Sequence, residues 1–178
     1  MSTHSPSRTR FIAALLALLT QSVMLGWETL NGGVAAHHLL GDPTLPAVSN
    51  LWGLLLLPLL AWWTVSQVQR RAERETTPPR LDPVFGFYAA LLYAGMMALV
   101  YSQAGIFAVF LVVGIVMYAA IARLWHAQYL LGFVFGMAFV LGPVQSALLG
   151  AVVGLLAWVV HAVTGPLRRR ILPRFGVA

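Results

Sequence analysis

Two stretches of this chain, 83–122 and 124–167, carry no Asp, Glu, Lys or Arg, and only Arg123 stands between them. A water-soluble domain is about a quarter charged, so uninterrupted apolar runs of this length belong in lipid. A helix crossing a ~30 Å hydrocarbon layer takes ~20 residues, and each run has room for two. Charged residues are 9% of the whole chain, and its mean hydropathy is +0.82. The fold class read from this is all-α, a polytopic integral membrane protein with a single membrane domain over 1–178.

Six spans are predicted, at about 11–30, 49–68, 84–101, 106–122, 124–141 and 144–163. They leave a polar outer loop at 31–48, a basic cytoplasmic loop at 69–83 and a basic tail at 164–178. Gly142-Pro143 is a stop between the last two, because proline cannot continue the helical ladder; a single kinked helix is the alternative. The arginines favour six. Arg8 and Arg10 precede the first span, and Arg70, Arg71, Arg74 and Arg80 follow the second. Arg123 lies between the fourth and fifth, and Arg168, Arg169, Arg170 and Arg174 follow the sixth. With both termini cytoplasmic, every arginine falls on the side where basic residues accumulate. Trp27 and Trp52 then mark the outer interface, and Trp62, Trp63, Trp125 and Trp158 the inner one. The N-terminal run imitates a signal peptide but lacks a small-residue cleavage site where one is needed, so it reads as an uncleaved span.

The net charge of +6 is thus explained by topology, and no nucleic-acid partner is expected. With no cysteine, the chain has no disulfide framework and no thiolate nucleophile or zinc ligand. The bilayer is the obligatory partner, with anionic headgroups at the arginine-rich loop and tail. A homo-oligomer or a second membrane protein is the remaining partner class. Basic residues that are all arginine, without an organelle signal, fit a bacterial inner membrane.

Helices in lipid associate through close backbone approach over small residues. Span three offers Gly86, Ala90, Ala94 and Ala98 at four-residue spacing, span five Gly132 and Gly136, and span six Gly150 and Gly154. These stripes predict a compact bundle. Pro58 predicts a kink in span two.

Polar side chains inside such a protein are costly unless satisfied, and they fall into two groups. The outer group is Gln21, Glu28, Asn31, His37, His38, Asp42, Ser49 and Asn50, with no Lys or Arg on that side to pair either carboxylate. Gln21 and Glu28 share one stripe of span one, so Glu28 is expected to look into the bundle near its outer mouth. Asn31-Gly32-Gly33 breaks the helix, 34–40 is read as a short interfacial helix, and Gly41-Asp42-Pro43 turns the chain back. No cofactor is predicted outright, but His37 or His38 with Glu28 or Asp42 could hold a divalent metal. The same set could relay protons or serve as a hydrogen-bonded lid. The inner group is His126, Gln128 and His161, expected to meet near the cytoplasmic surface. Intramembrane zinc hydrolases gather their histidines in one pocket; here the histidines divide between opposite ends and no span carries an HxxxH pair.

Three functions are compatible with this pattern. The leading one is a small accessory or structural membrane protein acting through lipid or partner contacts. The alternatives are a proton- or ion-coupled transporter using Glu28 and Gln21, and a membrane-embedded enzyme with its site at 28–50.

Overall fold

The computed structural model describes residues 5–39, 42–74, 82–101 and 126–171, and it is mostly helical. Helix α1 spans Pro6–Leu30, α2 Gly53–Arg74, α3 Pro83–Tyr101, α4 Ala127–Leu141 and α5 Pro143–Ile171. Three segments are long and apolar enough to cross a membrane: Pro6–Leu30, Asn50–Arg74 and Pro143–Val163. Pro83–Leu99 and Ala127–Leu141 are shorter apolar helices. The expected fourth span, 106–122, lies outside the described residues, as do Arg80, Arg123, Trp125 and Arg174.

Helix α2 runs unbroken through Pro58 and on to Arg74, into the segment expected to be loop. Gln, Arg and Glu are good helix formers, and no proline follows until Pro78. Asp82 starts α3 by accepting the Val84 N–H on its carboxylate at 2.8 Å.

Helices α1 and α2 form an antiparallel hairpin, with Ala17 packed against Leu57 and Ala61 and joined there by Leu131 and Val134 of α4. Helix α4 is the central element; its Ala127, Tyr129, Leu131, Gly132, Phe133, Val134, Met137 and Ala138 are buried. Small residues explain how it fits. A Cβ on Gly132 would collide with the Phe87 carbonyl, and one on Gly136 would lie 2.6 Å from both the Ala94 Cβ and the Leu91 carbonyl. The backbones of α3 and α4 are therefore in direct contact, and Phe133 and Met137 pack on Ala94 and Ala98. The register, Gly86 beside Tyr129, Ala90 beside Gly132 and Ala94 beside Gly136, makes α3 and α4 parallel.

Gly142 ends α4, with φ 78° and ψ 157°, a conformation open essentially to glycine alone. The chain reverses there, so α4 and α5 are separate helices, and Gly150 of α5 lies against Leu130, Phe133 and Val134 of α4. Ser146 ties the start of α5 to the turn, its hydroxyl donating to the Gly142 carbonyl at 2.7 Å.

The segment after α1 corrects one expectation. The interfacial helix expected at 34–40 is not formed over 34–38. Ala36–His38 is a strand, β1, paired antiparallel with β2, Ala47–Ser49, with His37 opposite Val48. The reason is local. Gly32 and Gly33 take φ of 122° and 110°, which carries the chain away from α1 in extended form, and its N–H and C=O groups then need a neighbouring strand.

Candidate functional site

The polar residues of α1, the hairpin and the start of α2 converge at the end of the bundle where α4 turns into α5. Asn50 is their centre and is 1% exposed. Its backbone N–H donates to the Ala35 carbonyl at 2.9 Å, and its carbonyl accepts from Gln21 Nε2 at 3.0 Å. Its side-chain Nδ2 donates to Glu28 Oε1 at 2.5 Å. The second oxygen of Glu28 accepts the Ala35 N–H at 3.0 Å. Both carboxylate oxygens are thus engaged by N–H groups of the protein, and Glu28 fastens β1 and the start of α2 to α1.

The other face of Asn50 meets the α4–α5 turn. A Cβ on Gly142 would sit 2.6 Å from Asn50 Oδ1 and 2.9 Å from His37 Cδ2, so only a glycine lets amide and imidazole close on that backbone. Gly53 gives the same close approach at the start of α2, where Gln21 and Pro143 press against it. Two buried polar atoms at this junction, Gln21 Oε1 and His37 Nε2, have no hydrogen-bond partner among the described residues.

Adjacent strand residues point to opposite faces, and this separates the two histidines. His37 turns in toward Gly142 and is half-buried. His38 is exposed, and its Nδ1 bonds the Leu45 carbonyl at 2.8 Å across the hairpin. Asp42 serves the turn: its Oδ1 accepts the Thr44 N–H at 2.9 Å and the Thr44 hydroxyl at 2.7 Å. Those two bonds hold its carboxyl below the ordinary value of 3.8. Ser49 caps the 3-10 turn Asn50–Trp52 by accepting the Leu51 N–H, and Asn31 bonds back to the Trp27 carbonyl at 2.8 Å. Among the described residues no three His, Asp or Glu side chains are grouped to hold a metal ion.

Of the inner group, Gln128 lies against Gly86 of α3. His126 is the N-cap of α4, its ring tilted toward that of Tyr129 at 6.4 Å between centroids. His161 is half-buried on α5.

Sequence reasoning missed four participants. Gln145 donates from Nε2 to the His38 carbonyl and pins the hairpin to α5. Gly142 is the cradle for Asn50 and His37. Thr64 donates to the Ala127 carbonyl at 3.3 Å, and Gln69 joins α2 to α1 through Arg10. The Gly-Pro stop was the available signal for Gly142; the others are single polar residues without a spacing pattern. No protein-family model, curated protein or solved structure matches the chain.

Proposed function

We propose that this chain is a six-span protein of a bacterial inner membrane with both termini cytoplasmic, and that it works as an accessory or structural membrane protein. Its outer polar cluster is then a lid that satisfies backbone and side-chain groups at the bundle mouth. The observation that carries this reading is the full engagement of Glu28 by Asn50 Nδ2 and the Ala35 N–H. A carrier carboxylate has to exchange partners, whereas this one holds three elements together.

The six-span topology draws support from the parallel course of α3 and α4. Two consecutive parallel helices require the chain between them to return across the layer, and 106–122 is an uncharged stretch long enough to do so. Orientation draws support from the placement of Arg8 and Arg10 at the start of α1 and of Arg70, Arg71 and Arg74 at the end of α2, all at the end remote from Glu28. The chain has no cysteine, so single cysteines introduced at Thr44 and Ser7 report sidedness directly. A membrane-impermeant maleimide added to intact cells should label the first and spare the second.

A proton-coupled carrier is the second reading, favoured by the buried, unpartnered Gln21 Oε1 and His37 Nε2. Proteoliposomes with an internal pH dye separate the two. The accessory reading expects proton entry equal to that of protein-free vesicles, and a defined larger complex when native membranes are resolved by blue-native electrophoresis. A proton flux abolished by Glu28→Gln or His37→Gln would replace it with the carrier. The enzyme reading would instead be supported by a stoichiometric metal ion lost in the His37→Ala/His38→Ala double variant.

A further inference from the structure

At the end of the bundle opposite the lid, α1 and α2 are joined by a short polar chain. Arg10 donates from Nε to Gln69 Oε1 at 2.6 Å, and Gln69 Nε2 donates to the Pro6 carbonyl at 3.0 Å. Gln69 is thereby fixed at both ends of its amide, and it fixes the guanidinium by its Nε edge. The remaining edge of Arg10, its two terminal nitrogens, has no acceptor among the described residues. Arg10 is half-buried, so its side chain is held against the helix pair instead of ranging through solvent.

The surroundings are mostly cationic. Arg8 is exposed on α1, Arg70 and Arg74 are exposed on α2, and Arg71 is half-buried beside them. Glu73 is the only acid on the described part of either helix end. Among the described residues none of Arg8, Arg10, Arg70 or Arg74 forms an ion pair. The first turn of α1 starts at Pro6 and adds the partial positive charge of a helix N-terminus. A guanidinium with its terminal edge free matches two oxygens of a phosphate in a fork. On the same helices, Phe11 is 62% exposed and Trp62 and Trp63 are 40% and 43% exposed. These are aromatic surfaces of the kind that sit at a headgroup boundary and continue into acyl chains.

We propose that Arg10, oriented by Gln69 and flanked by Arg8, Arg70 and Arg74, binds the phosphate of an anionic phospholipid headgroup at the α1–α2 end. Arg10 makes the contact, and Gln69 is a positioning residue. The site rests on the membrane topology proposed above and gives its lipid partner a specific place on the chain. General attraction between arginines and an acidic leaflet depends on charge alone; a built site depends also on the uncharged Gln69.

The test uses the full chain in detergent. Native mass spectrometry counts retained lipid after addition of phosphatidylglycerol or phosphatidylcholine, and again with inorganic phosphate as competitor. The wild-type chain is expected to retain phosphatidylglycerol over phosphatidylcholine, with millimolar phosphate displacing little of it. Arg10→Gln should lower retention about tenfold. Gln69→Met should lower it several-fold at unchanged charge, the loss expected when one charge-assisted bond is no longer held in geometry. Because Gln69→Met could also loosen the hairpin, Gln69→Glu is the companion. It keeps the contact with Arg10 as an ion pair and occupies the guanidinium, giving up the bond to the Pro6 carbonyl, and should abolish the preference while the chain stays folded by circular dichroism. The proposal is overturned if Gln69→Met and Gln69→Glu retain lipid as the wild type does, if phosphatidylcholine is held equally, or if inorganic phosphate binds as tightly as the lipid. These outcomes leave the accessory reading standing when maleimide labelling still places Ser7 inside; labelling of Ser7 from outside would remove the topology itself.

Discussion

Gly142 is the position where a single methyl group should do the most damage. Two costs add there. The backbone conformation, φ 78° and ψ 157°, is nearly closed to residues with a Cβ, which costs on the order of 1–3 kcal/mol. The new Cβ would also lie 2.6 Å from Asn50 Oδ1 and 2.9 Å from His37 Cδ2, well inside contact distance. Asn50 has to move, and its bond to Glu28 goes with it; stranding partly buried groups adds about 1–3 kcal/mol. Gly142→Ala should therefore destabilise by roughly 2–6 kcal/mol. At about 2–4 °C per kcal/mol for a chain of this size, the melting temperature falls by roughly 4–24 °C. Two controls divide the sum. Gly33→Ala meets nothing within 4 Å but keeps a φ of +110°, so it should show the strain alone, about 1–3 kcal/mol. Gly26→Ala meets nothing within 4 Å and lies inside α1, so it should be neutral or stabilising. The assay is thermal unfolding of detergent-solubilised protein by circular dichroism at one scan rate. Equal losses for Gly142→Ala and Gly33→Ala would refute the claim that Asn50 and His37 are closed on this turn. So would full additivity of Gly142→Ala with Asn50→Ala, because removing the amide should relieve the clash.

Gly132→Ala should separate α3 from α4, since its Cβ meets the Phe87 carbonyl, a backbone atom that cannot swing away; a loss of at least the ~1–3 kcal/mol typical of overpacking is expected, read as a lower melting temperature. Glu28→Gln keeps an acceptor for Asn50 but turns an amide NH2 toward the Ala35 N–H, and should cost about 1–3 kcal/mol with faster amide exchange across 35–38. Asp42 carries the pH dependence of the hairpin turn. Its folded value is depressed by the two Thr44 bonds, so their contribution is complete above 3.8 and is lost only as pH falls through the still lower folded value. The Thr44 amide resonance should hold constant from neutral pH down to the carboxylate range and shift below it, whereas Asp42→Ala should show the shifted position at every pH.

The apolar stretches and the small-residue stripes were legible because each is a pattern repeated over several turns. Gly86, Ala90, Ala94 and Ala98 stand at four-residue intervals, and it is this face that lies on Gly132 and Gly136. The Gly142-Pro143 stop was legible from two residues, since proline forbids continuation and glycine permits reversal. The hairpin was not. Ala36-His37-His38 and Ala47-Val48-Ser49 are three residues each, too short to show alternation, and they are paired by the Gly32-Gly33 turn and by Gln145 far along the chain. The outer polar residues were recognisable as a set, yet their roles depend on which N–H each oxygen meets, and spacing does not encode that. Glu28 illustrates the point: its place on the Gln21 stripe was readable, while its engagement by Asn50 and Ala35 depends on an extended segment whose sequence reads as a helix.

That engagement also resolves a conflict built into the sequence. A half-buried carboxylate needs compensation, and its usual partner is an arginine or lysine. On the orientation proposed above, a positive charge at the Glu28 end would weaken the arginine asymmetry that sets it. Asn50 Nδ2 and the Ala35 N–H supply two charge-assisted hydrogen bonds without any formal charge. The lid is held by a carboxylate while its end of the bundle carries no Lys or Arg among the described residues. Asn50→Arg tests whether the pair was chosen for that reason. It offers Glu28 a stronger electrostatic partner, but the longer side chain has to displace His37 from Gly142, and it places a cation on the side proposed above to be outer. If satisfaction of Glu28 were all that mattered, the variant would melt no lower than wild type and keep its maleimide pattern. The expected result is a lower melting temperature together with partial labelling of the Ser7 cysteine from outside.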